Sequence, residues 1–152
     1  MKHLFTLIML TLATMILADT SPERPPIGTR LQSDEILFKA SIDAIDDIVI
    51  YNGKLCIEHV SRNKPQNITI DGKTWEPTWE ANTSSNYTRF NPKLVSLKDI
   101  VAKVTLIKGR GNAVIQEQPS KENKYRLIIR LTDGGSGADE LEIKISLNPK
   151  GK

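Results

Sequence analysis

The sequence predicts an all-β protein, a single antiparallel β-sandwich of jelly-roll-like form lying behind a signal peptide. Three observations carry that prediction. From about Ser33 onward apolar and polar residues alternate with period two, the side-chain period of a half-buried strand. No segment of ten or more residues in that region sustains a helical apolar stripe. The alternating runs are separated by turn signals: Asn52-Gly53, Asp71-Gly72 and the Gly-rich stretches 108–111 and 133–139.

Residues 1–18 precede this pattern. Lys2 and His3 lead into an apolar run from Leu4 to Leu17, Ala18 closes it, and polar Asp19, Thr20 and Ser21 follow, the layout of a cleavable export signal. The protein is therefore expected to be secreted or periplasmic. No other stretch approaches the ~20 apolar residues needed to cross a bilayer, so no membrane span is expected after cleavage. Residues 19–32 hold Pro22, Pro25, Pro26 and Gly28 among charges and read as a disordered lead-in. The folded unit is placed at 33–149.

Taking 18 residues from 152 leaves 134, a common size for one domain with its own core. The formal charge falls from +3 to +2 because Lys2 is the only charged residue of the leader. Acidic and basic side chains intermix, which removes the clustered basic face a nucleic-acid binder needs. A single cysteine, Cys56, excludes an internal disulfide, and its place in an apolar run reads as an inert, partly buried hydrophobe.

The strands follow in order. An early strand covers 36–41. In 48–57 the Asn52-Gly53 pair fits a two-residue turn, which sets Ile50 opposite Leu55, Ile48 opposite Ile57 and Asp46 opposite His59 on one face, with Val49 opposite Cys56 on the other. Residues 67–70 form a short strand ending at Asp71-Gly72. The runs 101–107 and 112–116 flank the turn at 108–111. A second hairpin is expected between 125–132 and 140–147, with Leu131 opposite Leu141 and Arg130 opposite Glu142. About eight strands result, more than one exposed sheet accommodates, hence two packed sheets.

The order of landmarks is itself informative: Ile42-Asp43, Leu55 to His59, Pro65, Asn67 to Ile70, Gly72, Trp75, Gly109-Arg110-Gly111, Gln118-Pro119-Ser120, Asn123, Tyr125 and the turn from Asp133 to Asp139. It resembles an uncharacterised group of secreted bacterial β-sandwich domains. The resemblance implies a sandwich and an extracytoplasmic setting, and it transfers no catalytic residue.

Residues 71–92 read as a loop of about twenty residues holding Trp75, Trp79, Tyr87 and Phe90, four of the seven aromatics after the leader. Rings among amides and carboxylates suit a sugar, because a ring packs on the apolar face of a pyranose while polar groups bond its hydroxyls. Trp75, Trp79, Glu80, Asn82, Asn86 and Tyr87 are the candidate ligand-binding residues; the alternative is that the tryptophans fold inward as a lid. His59 beside Asp46 is half of a nucleophilic triad or of a metal site, yet the sequence offers no Gly-x-Ser-x-Gly elbow and no second histidine after the leader. Arg110 between glycines reads as a turn, with an anion cradle as the alternative. Asp133 to Asp139 reads as a hairpin loop, with calcium as the alternative. No cofactor, metal or catalytic residue is assigned. The expected function is an exported non-catalytic module that binds a polar ligand, carbohydrate first, through 75–90; the alternative is a structural module docking on another exported or cell-envelope protein.

Overall fold

Eleven strands and no helix make up the described part of the chain, which in this computed structural model comprises residues 35–51, 54–59, 66–81, 86–92, 94 and 96–151. The export signal, the Pro-rich lead-in and the Asn52-Gly53 turn lie outside the described residues. Among those described, no helix is long and apolar enough to cross a membrane.

The strands are β1 (Glu35–Ile42), β2 (Ile45–Tyr51), β3 (Lys54–His59), β4 (Ile68–Ile70), β5 (Lys73–Trp75), β6 (Thr78–Ala81), β7 (Asn86–Phe90), β8 (Ile100–Lys108), β9 (Gly111–Glu117), β10 (Leu127–Asp133) and β11 (Asp139–Pro149). They form two antiparallel sheets, one ordered β5-β4-β1-β11-β8 and the other β6-β7-β3-β2-β10-β9. The expected β-sandwich is the observed architecture. Alternating residues of both sheets meet in the gap: Ile36, Phe38, Ala40 and Ile42 from β1, and Leu127, Ile129 and Leu131 from β10, are all at most 6% exposed. Each of these isoleucine, leucine and phenylalanine side chains contributes about 1.5–3 kcal/mol on leaving water. Leu94 and Leu97, in the link from β7 to β8, are buried members of the same core.

The first hairpin has the expected register: Ile50 faces Leu55, Ile48 faces Ile57, Asp46 faces His59 and Val49 faces Cys56. The Asp71-Gly72 turn is also as expected. Both residues have positive φ (50° and 79°), as a type I′ turn requires. Asp71 Oδ1 accepts the Leu37 amide at 2.9 Å, which fastens this turn to β1.

The second expected hairpin does not form. β10 pairs with β2 and β9, whereas β11 pairs with β1 and β8 in the other sheet. Arg130 accordingly meets Asp47 across β2 rather than Glu142, through Nε and a terminal nitrogen, each 2.9 Å from a carboxylate oxygen. Alternation told which face of each strand is apolar, but two strands with inward apolar faces satisfy it equally as hairpin partners or as members of opposing layers. The 134–138 link, with Gly134, Gly135 and Gly137, spans the ~10 Å between layers. The 108–111 turn crosses in the same way. Gly109 and Gly111 have φ of 109° and 140°, and a Cβ on either would collide with a backbone carbonyl, of Glu140 and Thr132 respectively.

Residues 71–92 are largely strand rather than loop, since β5, β6 and β7 occupy most of them. Their polar residues concealed this. β5 and β6 are edge strands of three and four residues, too short to show an alternating pattern and too exposed to need one.

Candidate functional site

The strand pairing divides the five described residues of the six expected for ligand binding among different surfaces. Trp75 is on β5 in the first sheet and Trp79 on β6 in the second. Trp79 pairs with Thr88 and Glu80 with Tyr87, so Trp79 shares the inward face of Thr88 whereas Glu80 and Tyr87 face outward. Asn86 lies on the inward face opposite His59 and Ala81. Asn82 lies outside the described residues. Stacking one sugar on Trp79 and Tyr87 together is excluded by this alternation. Both tryptophans are half-buried. Trp75 packs against the core and carries the Lys73 ammonium 4.3 Å from its ring centre, the inward lid of the alternative reading.

The outward residue Tyr87 lines a different feature, a cleft of about 620 Å³ on the outer face of the second sheet. Its floor is Val49 and Cys56, cross-strand partners on β2 and β3. Val49 is only 5% exposed although it points away from the core, so its neighbours on this face cover it. Tyr51 and Tyr87 supply rings at the walls. Lys54, Glu58, Arg89 and Lys124 supply charge. Arg89 is next to Cys56 in the pairing of β3 with β7; its guanidinium lies 5.4 Å from the Tyr87 ring centre and 3.3 Å from Glu80 Oε2. Burial pushes the Cys56 thiol up from its ordinary pKa, against the pull of Arg89, so at neutral pH it is a protonated, weakly nucleophilic part of the floor.

Sequence reasoning missed Tyr51, Lys54, Arg89 and Lys124 as members of a site. One signal was available. Ile48, Val49 and Ile50 form an unbroken apolar run in an otherwise alternating strand, and a strand apolar on both faces must be covered on both. The packed sheet covers Ile48 and Ile50; the cleft walls cover Val49.

His59 has the orienting carboxylate that the hairpin register placed beside it, and also a partner the sequence did not reveal. Nδ1 lies 3.0 Å from Asp46 Oδ1 and Nε2 lies 2.8 Å from Thr88 Oγ1. With the carboxylate ionised, Nδ1–H donates to Asp46 and Nε2 accepts the threonine hydroxyl. The three side chains border an inner cavity of about 200 Å³ between the sheets, with Gln66, Asn67 and Ser41 also on its wall. The order carboxylate, imidazole, hydroxyl is that of a nucleophilic triad. Burial argues for a structural role, because Thr88 is 1% and Asp46 3% exposed, and the Trp79 ring sits 5.7 Å from the imidazole. The three side chains satisfy one another's hydrogen bonds between the sheets.

The remaining charged clusters serve the fold. Arg110 points its Nε and a terminal nitrogen at Asp139 Oδ1 (3.2 and 2.9 Å), and Asp139 Oδ2 accepts the Gly134 amide at 2.7 Å. These bonds hold the Asp139 carboxyl below the usual carboxylate range, the Gly134 amide being the largest cause. Asp133 Oδ2 accepts the Ala44 amide at 3.0 Å. Both carboxylates considered for calcium, and the arginine considered for an anion, are thus engaged with one another or with backbone. Among the described residues no group of three His, Cys, Asp or Glu side chains is arranged to hold a metal ion. No family model, curated protein or solved structure matches the chain.

Proposed function

We propose that this chain is an exported, non-catalytic binding module that holds a carbohydrate in the cleft on the outer face of the second sheet. The observation that carries the reading is the pairing of two tyrosine rings with an apolar floor inside a concave, polar-rimmed surface. A pyranose presents an apolar C–H face and a rim of hydroxyls. Tyr51, 39% exposed, and Tyr87 offer rings for the former, and Glu58 and Arg89 offer an acceptor and donors for the latter. Of the residues expected from the sequence, this site keeps Tyr87 in its lining. The non-catalytic part of the reading is supported by the burial of Thr88 beside His59.

The test is affinity electrophoresis and calorimetry of the mature protein against a panel of soluble polysaccharides. At least one polymer retards the wild type, and Tyr51→Ala and Tyr87→Ala abolish the retardation while melting cooperatively near the wild-type temperature. Retardation unchanged in both variants, or by no polymer at all, overturns the reading.

A second reading, docking on another exported or cell-envelope protein, draws on the edge strand β8, where Val101 and Ile107 are 37% and 49% exposed. Two features weigh against it. Gln118 occupies the Ala102 amide and carbonyl of that edge at 2.9 and 2.7 Å, and exposed Lys103 and Thr105 separate the two apolar residues.

A further inference from the structure

We infer that the glycan held in the cleft carries carboxylates, and that Lys54, Arg89 and Lys124 read their charge. This rests on the carbohydrate reading and narrows it to an acidic polysaccharide, a polyuronate in chemical class.

Charge balance is the first argument. Three cations and one carboxylate, Glu58, border the cleft, although basic and acidic residues nearly balance over the whole chain at 21 against 18. The surplus is local. Two lysines of the first sheet do have acidic partners, Lys39 with Glu140 at 3.1 Å and Lys144 with Glu35 at 3.7 Å. Among the described residues neither Lys54 nor Lys124 has a carboxylate within ion-pair distance. Arg89 gives one terminal nitrogen to Glu80, and its side chain remains 46% exposed. Its planar fork has further donors, suited to a carboxylate.

The second argument is the backbone under Lys124. Lys124 and Tyr125 have φ of 58° and 57°, two consecutive non-glycine residues in the left-handed region. Each costs about 1–2 kcal/mol relative to ordinary backbone. Asn123 holds them there: its Oδ1 accepts the Ser120 and Arg126 amides at 2.9 and 3.0 Å, and its Nδ2 donates to the Gln118 and Arg126 carbonyls at 2.8 and 3.1 Å. The Tyr125 amide closes the turn on Ser120 O at 2.7 Å. Glycine at 124 would adopt this turn without strain. Lys124 lines the cleft from a turn fastened by one asparagine, and strain of this kind gathers where a side chain is used.

The apolar surface of the cleft separates a sugar acid from a plain polyanion. Tyr51, Tyr87 and the Val49–Cys56 floor offer a polyphosphate or a polyglutamate no ring to stack on, whereas a uronate ring places its carboxylate at the edge of a stackable C–H face.

The experiment is a calorimetric titration of the mature protein with polygalacturonate, its fully methyl-esterified form, a neutral glucan and polyglutamate. Polygalacturonate is expected to bind, and the methyl ester, with the same sugar backbone and its carboxylates capped and neutral, to bind at least about tenfold more weakly if three contacts of the exposed ion-pair class are lost. Affinity should fall as salt rises from about 0.05 to about 0.5 M, where screening shortens to a few ångströms. Lys54→Gln and Lys124→Gln should each weaken binding about two- to fivefold. Lys124→Gly should weaken binding without lowering the melting temperature, a combination that a merely structural lysine does not give. Equal binding of the ester or of neutral glucan overturns the acidic assignment and leaves the carbohydrate reading standing. Equal binding of polyglutamate overturns both, and so does binding by none of the four polymers together with none of the wider panel.

Discussion

Replacing Thr88 by valine removes one hydroxyl from the chain Asp46–His59–Thr88 and almost nothing else. The two side chains are nearly isosteric and Thr88 is 1% exposed, so no cavity opens and the added methyl is itself buried. What changes is His59, whose Nε2 loses its partner at 2.8 Å while its side chain stays 11% exposed. An unsatisfied buried polar atom costs about 1–3 kcal/mol. For a folded unit of a little over a hundred residues, an unfolding entropy of about 2 cal/mol/K per residue converts that to a melting temperature lower by about 4–12 °C. Thr88→Ser keeps the hydroxyl and loses one buried methyl, for a cost of about 1 kcal/mol. His59→Ala strands the Asp46 carboxylate and should cost more than either, about 3–5 kcal/mol. Urea denaturation followed by tryptophan fluorescence measures all three. The ranking expected is wild type, Ser, Val, Ala, in falling stability. Valine as stable as wild type, or more stable than serine, refutes the claim that hydrogen bonding rather than packing secures this part of the sandwich.

Two further perturbations address the crossings between layers. Gly111→Ala puts a Cβ against the Thr132 carbonyl at a φ of 140°, and strain there alone costs about 1–3 kcal/mol, so the variant should unfold at clearly lower denaturant; wild-type stability would mean that the crossing is not as tight as the backbone geometry requires. Asp139→Asn tests the Arg110 and Gly134 bonds through pH. The folded-state pKa of Asp139 is depressed, so its contribution is complete well above the ordinary carboxylate value near 3.8 and is lost as pH falls through the lower folded value. The variant should melt below wild type at pH 7, with the gap closing below about pH 4; a gap independent of pH would assign the loss to packing.

The legible parts of the fold were those fixed by short-range chemistry. Asn52-Gly53 set the register of β2 and β3 to the residue, and that register put His59 against Asp46. The partners of β10 and β11 were not legible, because their inward leucines and isoleucines meet in the core whether the strands share a sheet or face each other across it. Thr88 as the third member of the histidine chain depends on the pairing of β3 with β7, separated by 29 residues from His59 to Thr88, and no local pattern encodes that. The aromatic richness of 71–92 was visible, but its division between two sheets and two faces followed from short edge strands whose sequence shows no period. The cleft had one trace, the apolar Val49 between Ile48 and Ile50, and its cationic rim comes from segments as distant as Lys54, Arg89 and Lys124.

The most direct measurement is a backbone amide chemical-shift map of the ¹⁵N-labelled mature protein, titrated with a short oligosaccharide from whichever polymer binds. Glycan held on the outer face of the second sheet moves the amides of Val49, Tyr51, Cys56, Tyr87, Arg89 and Lys124 most. Shifts gathered instead at His59, Gln66 and Asn67 around the inner cavity, or at Trp75 on the far sheet, with the outer face unmoved, would contradict it.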